Sequence, residues 1–271
     1  IKYGGSKMKI AVITGASSGM GREFCRQLDD RGFDEIWGLG LGEENFKALE
    51  AELKTPLRYF DRDLTKLENI EYFKSELEKY NPAVEWLVNA SGFGKFGRYD
   101  EIETETSVNM IELNCVALVR MTEYVLPYMV KGGRIIEIAS VAGFQPIPCI
   151  NVYAATKAFV ISYSRALNVE LKSRNISVTC LCPFWTKTAF FDRAKKINSK
   201  TGIEVVSKYV VMYDPIMIVK KAIKSADKRK EMCIPGFIAR SQVRLVKMLP
   251  HKMVMKIWCK QQKLTKKYRD K

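Results

Sequence analysis

From residue 9 onward the chain alternates short apolar runs with longer stretches in which apolar residues recur every three or four positions. The runs KIAVITG (9–15), EIWGLG (35–40), LRYFDRD (57–63), VEWLVNA (84–90), GRIIEIAS (133–140), ISVTCLCP (176–183) and EMCIPG (231–236) have strand length. Near-continuous apolar strands of this kind are buried on both faces of a sheet. Between them, GREFCRQLDDRG (21–32), ENFKALEAEL (44–53), LENIEYFKSELEKY (67–80) and the long ETSVNMIELNCVALVRMTEYVLPYMV (105–130) carry the helical period. Strands alternating with helices predict one α/β domain over residues 8–236, a parallel sheet of about seven strands with helices on both sides. Residues 237–271 follow as a C-terminal extension, and residues 1–7, IKYGGSK, form an upstream segment with no core pattern.

Composition narrows the function. The 271 residues are 47% hydrophobic and 28% charged, ordinary for a folded domain. No run approaches the ~18 apolar residues of a spanning helix, and no basic-then-apolar leader is visible. Seven cysteines scattered from Cys25 to Cys259 do not form a disulfide framework, so a reducing, cytoplasmic setting is expected. With His251 as the single histidine and only Cys180 and Cys182 close together, a zinc site and a Ser-His-Asp triad are both excluded. The net charge of +15 is concentrated: residues 240–271 hold 11 Lys and Arg against one acid, Asp270. There Val243, Val246, Met253, Val254 and Ile257 fall toward one helical face, Arg244, Lys247, Lys252, Lys256 and Lys260 lie elsewhere, and Pro250 divides the segment in two. Four readings stay open for this extension: a packed helix with a solvated basic side, peripheral contact with a membrane surface through Trp258, closure over a cleft, or cover for a neighbouring subunit. Nucleic acid is not an expected partner, since no recognition motif accompanies the charge.

Two stretches carry candidate chemistry. Directly after the first strand comes TGASSGMG, in which Thr14 and Gly15 are followed by Gly19 and Gly21. Such a turn brings backbone close to a pyrophosphate, and the helix behind it offers free N–H groups at its positive end. Further on, NVYAATKAF places Tyr153 and Lys157 four positions apart, on one face of a helix. Spacing alone decides nothing, because Tyr3 and Lys7 repeat it in a Gly-Gly segment with no helix. Ser140, at the end of the fifth strand, falls at the carboxyl edge where open α/β sheets bind ligands.

Taken in order, these motifs resemble the short-chain dehydrogenase/reductase family over residues 8–236. The resemblance implies a doubly wound sheet of Rossmann type and a nicotinamide cofactor. It places Thr14, Gly15, Ser17, Ser18, Gly19, Met20 and Gly21 at the phosphates, and Asp63 and Leu64 of DLT at the adenine. Asn89, Ala90, Ser91 and Gly92 of NASG follow the fourth strand; Ala90 and Ser91 depart from the usual Asn-Asn-Ala-Gly. Pro183, Thr186 and Thr188 sit beyond the sixth strand, with Phe184 where glycine is typical. The implied catalytic set is Asn114, Ser140, Tyr153 and Lys157. Tyr153 is then the general acid/base, brought down from its usual ~10 by the Lys157 ammonium. Lys157 also holds the nicotinamide ribose, Ser140 bonds the substrate oxygen, and Asn114 supports a water reaching Lys157.

NAD and NADP are not separated by GLGLGEE, which ends the second strand with neither acid nor base at Gly40, Leu41 and Gly42. NAD(H) is slightly favoured over NADP(H), with Arg22, Arg62 and Lys47 as the cations able to reverse that preference. The segments FQPIPCI (144–150) and FWTKTAFF (184–191) suggest an apolar alcohol or ketone touching Phe144, Ile147, Phe184 and Trp185. The alternatives are a 3-oxoacyl thioester reductase and a nonenzymatic nucleotide-sensing module. Assembly as a homodimer or homotetramer through helices near 105–128 and 153–172 is implied by the resemblance.

Overall fold

The computed structural model describes residues 7–188, 190, 194, 205–206, 208–209 and 211–264. Tyr3, Ala189, Phe191 and the end of the extension, residues 265–271, lie outside these described residues.

Seven strands form one sheet: β1 (Lys9–Thr14), β2 (Glu35–Gly40), β3 (Leu57–Asp61), β4 (Ala83–Asn89), β5 (Met129–Ile138), β6 (Ser177–Leu181) and β7 (Met232–Cys233). Their order is β3-β2-β1-β4-β5-β6-β7, and every pairing is parallel. The order reverses direction at β1, where the chain leaves for β2 on one side and later returns to β4 on the other. Loops at that switch point diverge and leave a crevice at the strands' carboxyl ends.

Alternation along each strand sends successive side chains to opposite layers. Ala11 and Ile13 of β1 face α1 (Gly19–Leu28) and α7 (Pro215–Asp227), joining Phe24, Leu28, Ile218 and Ala222. Ile10 and Val12 face the other layer, with Phe73 and Leu77 of α3 (Leu67–Tyr80), Met121 and Val125 of α5 (Leu118–Val125), and Leu167 of α6 (Asn151–Glu170). Each fully buried Phe or Leu contributes roughly 1.5–3 kcal/mol, so the core holds the sheet edge rigidly beneath the crevice.

Two expected elements differ. The predicted helix over 105–130 divides into α4 (Thr104–Ile111), a π-helical turn (Glu112–Ala117), α5 and a 3-10 turn (Leu126–Tyr128). Pro127 supplies no backbone donor, and Met129 already pairs with Val84 in the sheet. The seventh strand shrinks to two residues, because Pro235 cannot donate to the ladder and Gly236 turns away at φ +96°. The extension folds as α8 (Phe237–Met248) and α9 (His251–Gln261), separated at Pro250.

Candidate active site

The glycine turn is built by contacts that exclude side chains. Gly15 sits at φ +68°, and a Cβ there would meet the Ala90 carbonyl at 2.9 Å. A Cβ at Gly21 would fall 2.2 Å from the Gly15 oxygen. The backbone of the turn thus closes on itself, and α1 points its N-terminus at the crevice. Thr14 is buried beneath, its Oγ1 accepting from the Ala90 and Ser91 N–H groups, each at 3.0 Å. It braces two loops and does not line the cavity. Gly21 is likewise a support. Gly15, Ser17, Ser18, Gly19 and Met20 line the cavity, as do Asp63, Leu64, Ala90, Ser91, Gly92, Pro183, Thr186 and Thr188.

Asn89 is also off the cavity wall. Its side chain turns into the core, donating to Glu137 Oε1 at 3.1 Å and Thr122 Oγ1 at 2.8 Å. Glu137 is an acid the sequence reasoning missed, fully buried in β5, and burial pushes its carboxyl up to about 8. Its visible signal was a lone glutamate inside an apolar strand, GRIIEIAS.

At the chemical end, Ser140 lies two residues past β5 and caps the short turn Val141–Phe144, its Oγ accepting from the Ala142 N–H at 3.1 Å. Gly143 lets that turn touch the α6 backbone, since a Cβ there would come within 2.6 Å of the Lys157 carbonyl. Ser140, Tyr153 and Lys157 line one cavity together. Burial pushes the Tyr153 phenol up to about 12, against the pull of its hydrogen bond with Ser140. Lys157 is pushed by burial down to about 8. Its Nζ donates to the Ile138 carbonyl at 2.8 Å and lies 5.7 Å from the centre of the Tyr153 ring.

Asn114 lies in the π-helical turn, completely buried and off the cavity wall. Its Oδ1 accepts from the Phe93 N–H at 3.0 Å while Nδ2 donates to the Phe93 carbonyl at 2.9 Å and to Thr156 at 3.1 Å. Gly92 is wedged between it and Lys157; a Cβ there would be 2.9 Å from Asn114 Oδ1 and 3.5 Å from Lys157 Nζ. Asn114 thus fixes the loop under Lys157.

The substrate end is aromatic. Phe96 and Phe190 approach the Tyr153 ring at 6.5 and 5.5 Å, and Trp185 packs on Phe96 at 6.4 Å. Ile147, Phe184 and Trp185 line the cavity, and the departure from glycine at Phe184 supplies part of its wall. Phe144 does not line it; the residue packs against the separate core cluster that contains Leu118, Val160 and Cys180, with the Lys247 ammonium 4.9 Å from its ring centre. Phe96 and Gly94 went unnoticed in GFGKFG, whose glycine and aromatic content was the available signal.

The extension completes this wall. Val246, Leu249, Val254 and Trp258 line the same cavity of about 960 Å³. Trp258 is buried, its indole N–H donating to the Pro148 carbonyl at 3.0 Å, so it faces inward and is not a surface anchor. Met253 and Ile257, on the apolar face read from the sequence, stand about half exposed.

Of the three candidate cations, Arg22 is paired with Glu52 at 2.7 Å and Lys47 with Glu43 at 3.2 Å, both off the cavity. Arg62 lines it, beside Gly40 and Leu41.

A parallel seven-stranded sheet with this glycine turn and this Ser-Tyr-Lys grouping defines a nucleotide-dependent oxidoreductase. The chain belongs to the short chain dehydrogenase family, whose model matches residues 9–199. It is similar to nodulation protein G of a Rhizobium species, 33% identical over 70% of this chain and 77% of that one. Very-long-chain 3-oxoacyl-CoA reductase-B of Danio rerio is 32% identical over 74% of this chain and 66% of that protein. Among solved structures, a short-chain dehydrogenase from Sphingobium yanoikuyae in complex with NADPH superposes with a TM-score of 0.74. It is 28% identical, covering 89% of this chain and 95% of that one. No helix among the described residues is long and apolar enough to cross a membrane.

Proposed function

We propose that the protein is an NADP(H)-dependent oxidoreductase acting on a hydrophobic alcohol or ketone, with Tyr153 exchanging the proton. The observation that carries this reading is the single cavity that joins the glycine turn, Ser140, Tyr153 and Lys157, and an aromatic wall. The cradle at Gly15 and Gly21, which only glycine fits, is of the kind that receives a pyrophosphate. When bound, the nicotinamide supplies or takes up the hydride. In the reductive direction Ser140 hydrogen-bonds the carbonyl oxygen, and Tyr153 gives that oxygen its phenolic proton as the C=O pair collapses onto it. Lys157, brought near neutrality by burial, then returns a proton toward the phenolate. Asn114 keeps the Phe93 loop, and with it the floor under Lys157, in place.

The sequence alone leans toward NAD, but Arg62 on the cavity wall supports NADP(H). No acid occupies the end of β2 to take ribose hydroxyls, and a guanidinium suits a 2′-phosphate.

A second reading, reduction of a 3-oxoacyl thioester, is supported by the aliphatic wall from α8 and α9 and by Lys95 and Lys208 on the same cavity. Similarity to the Danio reductase points the same way. Self-assembly is inferred through α4 and α6, where Val108, Ile111 and Phe159 stand exposed.

The test is NADPH oxidation with a panel of apolar ketones and 3-oxoacyl thioesters, comparing the wild type with Tyr153→Phe. Loss of about 10²–10⁴-fold in turnover with cofactor affinity retained is expected. Undiminished turnover by the variant would refute the mechanism.

A further inference from the structure

Six of the fifteen large apolar side chains exposed among the described residues lie within residues 237–257. They are not scattered. In α8, Phe237 (74% exposed), Ile238, Leu245 and Met248 (81% exposed) stand at i, i+1, i+8 and i+11, on one side of the helix. Ala239, Val243 and Val246 point the opposite way, into the protein. Arg240, Arg244 and Lys247 run along the edge of the apolar stripe, all exposed. In α9, Lys252, Lys256 and Lys260 repeat at i, i+4 and i+8 beside the half-exposed Met253 and Ile257. From residue 232 to 269 the sequence contains no acid at all.

A helix face meant only for water gains nothing from such a stripe. A second copy docked here would set cation row against cation row, which Coulomb repulsion opposes. An anionic bilayer satisfies both features. Its headgroups meet the lysines and arginines, while side chains such as Phe237 and Met248 enter the acyl boundary. We infer that the outer face of α8 and α9 docks the protein on an anionic lipid surface. Leu245 and Ile257 are exposed and also line the cavity, so the cavity mouth opens on the docked face. An apolar substrate dissolved in the bilayer then reaches Tyr153 without crossing water. The docking does not depend on the proposed reaction, and its test reads no turnover, so either can fail alone.

The test is co-sedimentation of the purified protein with vesicles of phosphatidylcholine, alone or with about one-third phosphatidylserine. Binding at least about tenfold stronger to the anionic vesicles, weakened by high salt, is expected. Phe237→Ser/Met248→Ser and Lys252→Gln/Lys256→Gln/Lys260→Gln should each lose about tenfold. Neither variant touches the cavity, so thermal melting and NADPH affinity should stay as in the wild type. Absence of binding to anionic vesicles would overturn the inference, as would full binding by the Phe237/Met248 variant with equal retention of poly-glutamate, which would make charge alone the cause. Vesicle-independent self-association that this variant abolishes would assign the face to a second copy and overturn it equally.

Discussion

Replacing Arg62 by alanine tests the cofactor assignment most directly. The Arg62 backbone N–H donates to the Gly40 carbonyl at 2.8 Å, which holds the residue beside the end of β2. Its guanidinium lies 4.0 Å from the centre of the Tyr72 ring, and Nη1 donates to Asn69 Oδ1 at 3.2 Å. The group is therefore oriented before any ligand arrives, and little rotamer entropy is lost on binding. A charge-assisted contact with a phosphate contributes about 1.5–3 kcal/mol. Arg62→Ala should weaken NADPH by about 10- to 150-fold while changing NADH less than about twofold. Arg62→Lys keeps the charge without the fork and should fall between. Arg22→Ala, which breaks only the pairing with Glu52, should leave both affinities unaltered. The assay is titration of nicotinamide fluorescence with the two reduced cofactors in parallel. Equal weakening of both by Arg62→Ala, or none, would refute the role assigned to this residue.

Glu137 and Lys157 make stability depend on pH in opposite senses. The folded-state pKa of Glu137 is raised from 4.5 to about 8, so its share of stability is fully present below about 4.5 and is lost as pH rises toward 8. Lys157 is depressed from 10.5 to about 8, so stability recovers as pH rises from about 8 to 10.5. Chemical denaturation across this range should show a minimum near pH 8. Glu137→Gln should abolish the fall on the acid side, on the order of 3–5 kcal/mol, and a profile unchanged by that substitution would count against the burial argument. Gly21→Ala must displace the Gly15 carbonyl and should cost about 1–3 kcal/mol together with most cofactor affinity. Gly19→Ala, with no neighbour within 4 Å and only φ +56° to strain, should cost about 1 kcal/mol. Comparable losses in both variants, by melting and titration, would show that the close packing at Gly21 is not what matters.

Much of the fold was legible because burial on both faces forces continuous apolar strands, and all seven appear within a few residues of their expected places. LENIEYFKSELEKY became a helix at the expected bounds, Leu67–Tyr80. The π-helical turn at Glu112–Ala117 left no trace in the pattern, since one widened turn hardly alters an apolar periodicity. Of the site, Ser140, Tyr153 and Lys157 converge on one cavity as their order along the chain suggested. Side-chain direction was less legible. Asn89, Asn114 and Thr14 stand at the expected places in the chain but turn to protein partners, and Phe144 turns away from the wall. A motif places a residue along the chain, whereas neighbours from distant elements choose its rotamer. The contribution of α8 and α9 to the cavity was one of four readings that amphipathicity alone could not separate.

The participation of Val254 and Trp258 in the cavity divides labour between two parts of the chain. In the proposed mechanism, proton transfer rests on the strand ends and α6, held by the sheet. The shape of what fits rests partly on an appendage past the last strand, joined to the core through Gly236. The two parts can therefore diverge at different rates. On the proposed reading, changes in residues 237–261 are expected to reshape selectivity while leaving the chemistry intact, and an exchange of this segment between related chains, followed by activity on a substrate panel, checks this.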